Sequence, residues 1–207
     1  WYTWMHDTII RNANPKKGDT IVDIGCGNAA LSIKLAKKAK KVIGVDLSEE
    51  MINEGRKAIS KLRIKNISFK LTPIEVVNFK KNSVDAVTTN LAIDHVKDKL
   101  AMAKKVYKWL KPGGKFVIGL AFKVEQRFKE IVERKRKRYP HLAKKTEDSF
   151  AEHVKQASGA YYEKQPIEFK VSPHELAAIL QKAGFKTRIV PHYLPWFSVV
   201  VGQKITS

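Results

Sequence analysis

The stretch that most constrains the fold of this 207-residue chain is residues 21–30. Its first four residues are apolar enough for a buried strand, and Gly25-Cys26-Gly27 follows as a tight turn. A helical pattern begins at Ala29, and Asn28 is predicted to cap that helix. The next strand ends in an acid, Asp46. A strand, a glycine turn, a helix and an acid about 20 residues further on are typical of an α/β unit that binds a nucleotide or nucleoside.

Strand and helix patterns alternate along most of the chain. This alternation is typical of parallel strands joined by crossover helices. We therefore predict the α/β class, with a doubly wound, mostly parallel seven-stranded sheet. The predicted strands are residues 20–24, 41–46, 67–71, 84–89, 115–120, 185–190 and 196–201. The predicted helices are residues 1–12, 29–38 and 94–110, together with two that begin at the capping residues Ser48 and Ser172.

The pattern changes after the fifth strand. Residues 121–165 contain no predicted strand, carry many charges and fit two helices separated at Tyr139-Pro140. About 45 residues make a poor independent core, so we predict a single domain over residues 1–207 with a helical insertion at 121–165. Because the insertion follows a strand on the ligand side of the sheet, we expect it to act as a lid.

The composition is strongly basic, with 40 Lys and Arg against 20 Asp and Glu and a net charge of +20. Two interpretations stay open: a polyanionic partner, either nucleic acid or an anionic membrane surface, and a lysine-rich surface without such a partner. The densest basic run is Arg134-Lys135-Arg136-Lys137-Arg138. With one cysteine and no apolar run of membrane-spanning length, we expect a cytoplasmic protein.

The glycine turn fits two classes of ligand. Gly25, Gly27 and Ala30 match the dinucleotide pattern G-x-G-x-x-A, which is a weak signal on its own. Asp23 stands two residues before the first glycine, where a pyrophosphate would meet a negative charge. A carboxylate at that position suits a ligand with an ammonium group instead, although a nicotinamide-dependent dehydrogenase remains an alternative.

At four places the sequence resembles class I S-adenosylmethionine-dependent methyltransferases of the UbiE-like or type 11 group. The similar stretches are residues 22–29, 44–51, 84–96 and 110–115, and they occur in the family's order and spacing. The resemblance covers residues 17–120 and resumes over 172–204. It implies a Rossmann-like methyltransferase fold, S-adenosylmethionine as cofactor and no metal. It also implies methyl transfer to an acceptor, which we expect to be a small molecule, lipid-like compounds included.

The resemblance also implies roles for particular residues. Asp23 would orient the glycine loop and the cofactor's amino group, and Asp46 would bind the ribose. The methionine part would lie against the glycine turn and the end of the fourth strand, formed by Gly25, Cys26, Gly27, Asn90 and Leu91. The adenine would lie among Leu47, Met51, Pro73, Ile74 and Glu75. The family often has Asp where Pro73 stands, and a third glycine where Ala29 stands.

Methyl transfer from a sulfonium needs mainly proximity and alignment, and a general base only where the acceptor is protonated. His95 is the candidate base because it follows the fourth strand, and a purely structural helix-start histidine is the competing interpretation. Thr89-Asn90-Leu91-Ala92 lacks the N/D-P-P-Y/F motif, which disfavours methylation of exocyclic amino groups on adenine or cytosine. Two other functions stay open: an RNA methyltransferase that uses the basic surface, and a non-catalytic S-adenosylmethionine-binding module.

Overall fold

The computed structural model describes residues 2–121, 171–191 and 197–205. Helices and strands alternate along the chain as predicted. The strands are β1 (Thr20–Ile24), β2 (Lys41–Asp46), β3 (Ile67–Leu71), β4 (Val84–Asn90), β5 (Leu110–Ala121), β6 (Phe185–Pro191) and β7 (Phe197–Lys204). The helices are α1 (Tyr2–Ala13), α2 (Ala30–Ala36), α3 (Glu49–Lys61), α4 (Lys99–Trp109) and α5 (Pro173–Lys182), with a 3-10 turn at Ile93–His95.

The seven strands form one sheet in the order β3-β2-β1-β4-β5-β7-β6. The first five strands pair in parallel, whereas β7 runs antiparallel to both β5 and β6. The strand order reverses direction between β1 and β4, which places a crevice at their carboxyl ends. The predicted doubly wound, mostly parallel seven-stranded sheet is therefore confirmed.

Helices cover both faces of the sheet. One apolar core joins α1 and α2 to the sheet through residues such as Ile9, Ile21 and Leu35. The other core joins α4 and α5 to the opposite face through Val106, Trp109 and Leu176. Because both faces are buried, most residues of the central strands are buried, and the buried polar ones include Asp23 of β1 and Thr88 and Thr89 of β4. The two cores fix the strands rigidly, so the loops at the carboxyl edge start from well-positioned ends.

Several predicted element bounds are wrong. The last strand, predicted at 196–201, spans Phe197–Lys204, and three other differences have a structural reason. The first is the helix at 29–38: it spans Ala30–Ala36, its cap position is Ala29 at φ 66°, and no side chain caps it. Asn28 Oδ1 only accepts a long, 3.3 Å bond from the Ala30 amide. The backbone leaves the turn in a left-handed conformation at Ala29, which displaces the helix start by one residue. This conformation also explains why glycine is common at this position in the resembling family.

The second wrong prediction is the continuous helix at 94–110. The chain forms the 3-10 turn Ile93–His95, becomes extended at Val96, and restarts as α4 where Asp98 accepts a bond from the Ala101 amide at 2.8 Å. The third is the start of the fifth strand, because β5 begins at Leu110 and the pairing register shifts between Val84 and Ala86. The extra residues of the Lys111–Gly114 segment, in which Gly113 has a φ of 76°, account for that shift.

The predicted caps at Ser48 and Ser172 are confirmed. Ser48 accepts a bond from the Met51 amide, and Ser172 forms a reciprocal capping box with Glu175. The predicted insertion at 121–165 lies almost wholly outside the described residues, so its lid role stays a prediction. Within the described ranges, no helix has the length and apolarity that crossing a membrane requires.

Candidate functional site

The glycine turn between β1 and α2 adopts an unusual backbone conformation. Gly25, Gly27 and Ala29 have φ values of 63°, 51° and 66°, all in the left-handed region that glycine adopts most easily. A Cβ on Gly25 would collide with the Cβ of Ala92, in the loop after β4. Glycine at this position therefore lets the loops after β1 and β4 approach each other closely. The turn and the β4 loop together line the carboxyl-edge crevice.

Asp46 ties the glycine turn to the second strand. One carboxylate oxygen accepts a hydrogen bond from the Gly27 amide at 2.8 Å, and the other accepts one from the Ser48 amide at 2.9 Å. The Gly25 amide also donates to the Val45 carbonyl at 2.8 Å. These bonds fix the turn before any ligand binds. Asp46 remains half-buried, and its carboxylate has lone pairs left for ligand hydroxyl groups.

Asp23 supports the turn from inside the protein. Its side chain is 1% exposed, and its oxygens accept bonds from the hydroxyls of Ser32 at 2.6 Å and Thr88 at 2.8 Å. Burial raises its pKa from 3.8 to about 6, the two hydroxyl bonds oppose that rise, and the charge of Asp46 adds to it. Asp23 thus joins β1 to α2 and β4 beneath the turn. Its predicted contact with the cofactor's amino group stays a prediction.

Cys26 lies within the turn but is not a nucleophile. Its side chain is buried and packs so closely on Gly44 that a Cβ there would lie 2.8 Å from its Sγ. Burial raises the pKa of the thiol strongly, and the nearby carboxylates of Asp23 and Asp46 raise it further. The thiol therefore stays protonated, and Cys26 contributes packing and backbone to the turn.

An exposed apolar strip runs beside Asp46. Leu47, on the loop after β2, is 55% exposed, and Met51 on α3 is half-buried near Gly27. Leu71, which the sequence reasoning missed, extends this strip and is 48% exposed. Leu71 is the register partner of Asp46 in the β2–β3 pairing. That register, a long-range property, is the signal that could have identified it.

Two side chains of α4 hold the segment 73–79, whose first three residues, Pro73, Ile74 and Glu75, are predicted to line the adenine. Ile74 is half-buried, whereas Pro73 and Glu75 are exposed. The Lys105 ammonium donates to the carbonyls of Ile74 at 3.3 Å and Glu75 at 2.6 Å. The Trp109 indole N–H donates to Asn78 Oδ1 at 2.8 Å. Sequence reasoning missed both anchors, because nothing in the local pattern links residues about 30 positions apart.

The end of β4 meets helix α1 at the same edge. Leu91 has a φ of 60°, a strained conformation for a large side chain and one that concentrates at functional sites. The Nδ2 atom of Asn90 lies 3.3 Å from Nε2 of His6, which is 4% exposed. Burial and, to a lesser degree, the charge of Lys34 lower the pKa of His6 to about 4, against the charge of Asp7. Near neutral pH His6 is therefore uncharged, and its Nε2 lies within hydrogen-bond distance of the Asn90 amide.

Asn90 Oδ1 is a buried oxygen for which the described residues supply no hydrogen-bond donor. His95 lies half-buried in the 3-10 turn that follows Ala92, on the same side of the glycine turn. The structure thus places the predicted site residues at or after the carboxyl ends of β1, β2, β3 and β4. Within the described ranges, no cluster of three or more His, Cys, Asp or Glu side chains is placed to hold a metal ion.

These residues fit an adenosine ligand that carries an amino-acid tail. The half-buried Asp46 carboxylate can accept bonds from ribose hydroxyls, and exposed aliphatic side chains such as Leu47 offer a flat apolar surface for an aromatic base. The left-handed turn, with glycine at positions 25 and 27, leaves its backbone open to a ligand in the crevice. The strand order and this site together define the class of Rossmann-like methyltransferases.

Comparison with known proteins gives the same class. Residues 15–184 match a methyltransferase domain family, which covers most of the chain. The chain therefore belongs to that methyltransferase domain family, and S-adenosylmethionine is its cofactor.

Named relatives share part of this sequence. Demethylmenaquinone methyltransferase of Symbiobacterium thermophilum is 33% identical over 132 residues, which cover 62% of this chain and 52% of that protein. Phosphoethanolamine N-methyltransferase 1 of Arabidopsis thaliana is 32% identical over 53% of this chain and 22% of its own length. The chain thus spans about half or less of these relatives, so their substrates do not transfer to it directly.

Solved structures share the fold at lower identity. A SAM-dependent methyltransferase from Aquifex aeolicus superposes with a TM-score of 0.69 at 19% identity, over 97% of this chain and 89% of that one. Geranyl diphosphate C-methyltransferase from Streptomyces coelicolor superposes with a TM-score of 0.70 at 16% identity, over 99% of this chain and 79% of that one. Both likenesses extend over nearly the whole chain.

Proposed function

We propose that this domain transfers a methyl group from S-adenosylmethionine to a small-molecule acceptor. The observation that carries the proposal is the carboxylate of Asp46, which is bound to the Gly27 amide and adjoins the exposed apolar strip. This pairing of a ribose-type acceptor with a base-sized apolar surface suits an adenosine cofactor. The named relatives act on small molecules, since their names specify demethylmenaquinone and phosphoethanolamine.

The cofactor would supply a methyl group on a positively charged sulfur; an acceptor atom would bond to the methyl carbon as the carbon–sulfur bond opposite breaks, which releases S-adenosylhomocysteine. The work left for this chain is to align the two reactants and to exclude water. Asp46, Leu47 and Met51 would hold the nucleoside end, while the glycine turn and Asn90 would hold the amino-acid end. His95 would take the proton from an acceptor that carries one.

The first test is cofactor affinity, measured by calorimetry with S-adenosylhomocysteine. We expect Asp46→Asn to weaken binding by about 10- to 100-fold, because a hydrogen bond to a charged group contributes about 1.5–3 kcal/mol. Glu54→Gln is the matched control, since it removes an exposed carboxylate from α3 away from the site. Equal affinity in wild type and Asp46→Asn would contradict the proposed site.

The second test is transfer itself, with radiolabelled S-adenosylmethionine and a panel of phenols, quinols, primary amines and duplex RNA. We expect label in one small-molecule class, and we expect His95→Gln to change the pH profile of that transfer if the acceptor loses a proton. Label in RNA alone would instead support an RNA methyltransferase. If the chain binds the cofactor but labels no acceptor, even in a cell extract, the result would support a non-catalytic binding module.

A further inference from the structure

The edge of the sheet opposite the site carries most of the described positive charge. Six connections meet at the amino ends of the parallel strands: residues 14–20, 37–41, 61–66, 80–85, 108–115 and 182–186. We call this surface the amino-edge face. Its basic residues are Lys16, Lys17, Lys37, Lys38, Lys40, Lys41, Lys61, Arg63, Lys65, Lys80, Lys81, Lys108, Lys111, Lys115, Lys182 and Lys186.

The six connections contain only two acidic residues, and both are engaged in internal contacts. Asp19 accepts a bond from the Lys16 amide at 2.8 Å. Asp85 accepts bonds from the Thr20 amide at 2.9 Å and the Lys111 ammonium at 2.7 Å. All the basic residues except Lys111 and Lys115 are exposed. The face therefore presents a large positive charge that its own acids do not neutralise.

Helix dipoles account for only part of this charge. Cations favour the carboxyl ends of helices, which explains residues such as Lys61 and Lys108. Others, such as Lys16, Lys41 and Lys80, lie in loops or at strand starts, beyond the last helical turn, where the dipole effect has fallen off. Close packing of like charges also costs stability through self-repulsion. The surplus calls for an anionic partner.

Exposed aliphatic side chains accompany the lysines. Five large hydrophobic side chains of the described residues are strongly exposed, and three of them, Leu47, Leu71 and Val76, lie at or after the carboxyl ends of β2 and β3. The other two are Leu62, 56% exposed in the connection before β3, and Ile205, 59% exposed directly after β7. Because β7 runs antiparallel to β5, its end lies on the amino-edge face. The amino-edge face thus has one exposed aliphatic residue beside β3, on one side of the sheet, and another beside β7, on the other side.

We propose that the amino-edge face docks on an anionic lipid bilayer. Lysines attract the negative surface of such a membrane, and exposed aliphatic side chains insert between its headgroups. The chemistry suits nucleic acid less well. The exposed basic residues of the face are lysines except for Arg63, and the strongly exposed large side chains of the described residues include no aromatic ring that could stack on bases.

This orientation sets the site away from the membrane. Strands of five to seven residues separate the two edges in the parallel part of the sheet, a span of about 20 Å at about 3.3 Å per residue. The glycine turn and Asp46 would then face the aqueous phase. The proposal does not rest on the methyl transfer proposed above, since the docking face and the site lie on opposite edges.

The test is cosedimentation of the full chain with vesicles of phosphatidylcholine alone or mixed with phosphatidylserine, at low and high salt. We expect binding only to the anionic vesicles. We also expect that binding to be lost at high salt, where the Debye length falls below about 10 Å. The fourfold variant Lys37→Gln/Lys38→Gln/Lys40→Gln/Lys41→Gln should weaken that binding at least tenfold. The double variant Leu62→Ser/Ile205→Ser should weaken it at unchanged net charge.

The matched control removes the same charge elsewhere, through Arg56→Gln, Lys57→Gln, Lys97→Gln and Lys104→Gln. We expect this control to retain vesicle binding, and all variants to keep wild-type affinity for S-adenosylhomocysteine, which verifies folding. Equal loss in the control would overturn the proposal, because net charge alone would then explain binding. Absence of vesicle binding, or lysine-dependent binding of duplex RNA without vesicle binding, would overturn it as well.

Discussion

Replacing Asp23 by Asn should stabilise the domain at neutral pH. The Asp23 carboxylate is almost fully buried, and its only described donors are the hydroxyls of Ser32 and Thr88. These two bonds do not compensate for the loss of water, because the pKa stands at about 6 rather than 3.8. Asn keeps the shape of the side chain and removes the charge. Both hydroxyls can accept as well as donate, so the Asn amide finds partners.

The magnitude follows from the pKa difference. Each pKa unit corresponds to about 1.4 kcal/mol, so ionised Asp23 costs the folded state about 3 kcal/mol at pH 7. An acid with a raised folded pKa binds more protons in the folded than in the unfolded state. Wild-type stability from this group is therefore fully present below pH 3.8 and is lost as pH rises through about 6. Asp23→Asn has no titratable group at this position, so its stability does not decrease with pH for this reason.

The assay is urea denaturation of wild type and Asp23→Asn at several pH values between about 4 and 7.5. We expect the variant to gain up to about 3 kcal/mol relative to wild type across this range. Glu54→Gln removes an exposed carboxylate and should stay within about 0.5 kcal/mol of wild type at every pH. A pH-independent difference, or an Asn variant less stable than wild type at pH 7, would refute the argument.

Three further substitutions test contacts that hold the site or the opposite edge of the sheet. Gly25→Ala should cost at least about 2 kcal/mol in urea denaturation, because its φ of 63° and its neighbouring loop both exclude a Cβ; Gly18→Ala, with open space around it, should be nearly neutral. Lys204→Met should cost about 3 kcal/mol, since it leaves two carbonyls and an amide oxygen without their donor; an unchanged transition midpoint would contradict this. Lys105→Met should weaken S-adenosylhomocysteine binding severalfold in calorimetry, because it removes the bonds to the 73–79 segment. The melting temperature should fall by no more than a few degrees. Unchanged affinity would show that the segment needs no anchor.

The local parts of the site could be predicted from sequence. The glycine turn and Asp46 follow from short motifs, because strand ends, small residues and acids at fixed spacing carry their own geometry. The 3-10 turn before α4 could not be separated from a helix, since Ile93, Val96 and Leu100 keep helical spacing through the break. The start of α4 depends on which residue forms its N-cap, and both Asp94 and Asp98 have a suitable side chain.

The long-range parts could not be predicted. The bond of Lys105 to the 73–79 segment, the register that sets Leu71 beside Asp46, and the approach of His6 to Asn90 each join distant parts of the chain. The distribution of charge could not be predicted either. The composition gives the net charge, but it does not show that most basic residues lie on one edge of the sheet. That location depends on the strand order, which only the folded sheet specifies.

The position of β7 has a consequence for the order of folding. This strand follows β6 in the chain, yet it lies between β5 and β6 in the sheet. Until β7 has been synthesised and has inserted, β5 lacks one neighbour and β6 lacks its only one. A nascent chain on the ribosome therefore exposes unpaired strand edges, which are sites of intermolecular pairing. The insertion of β7 completes the sheet late, and slowing that step should favour aggregation over folding.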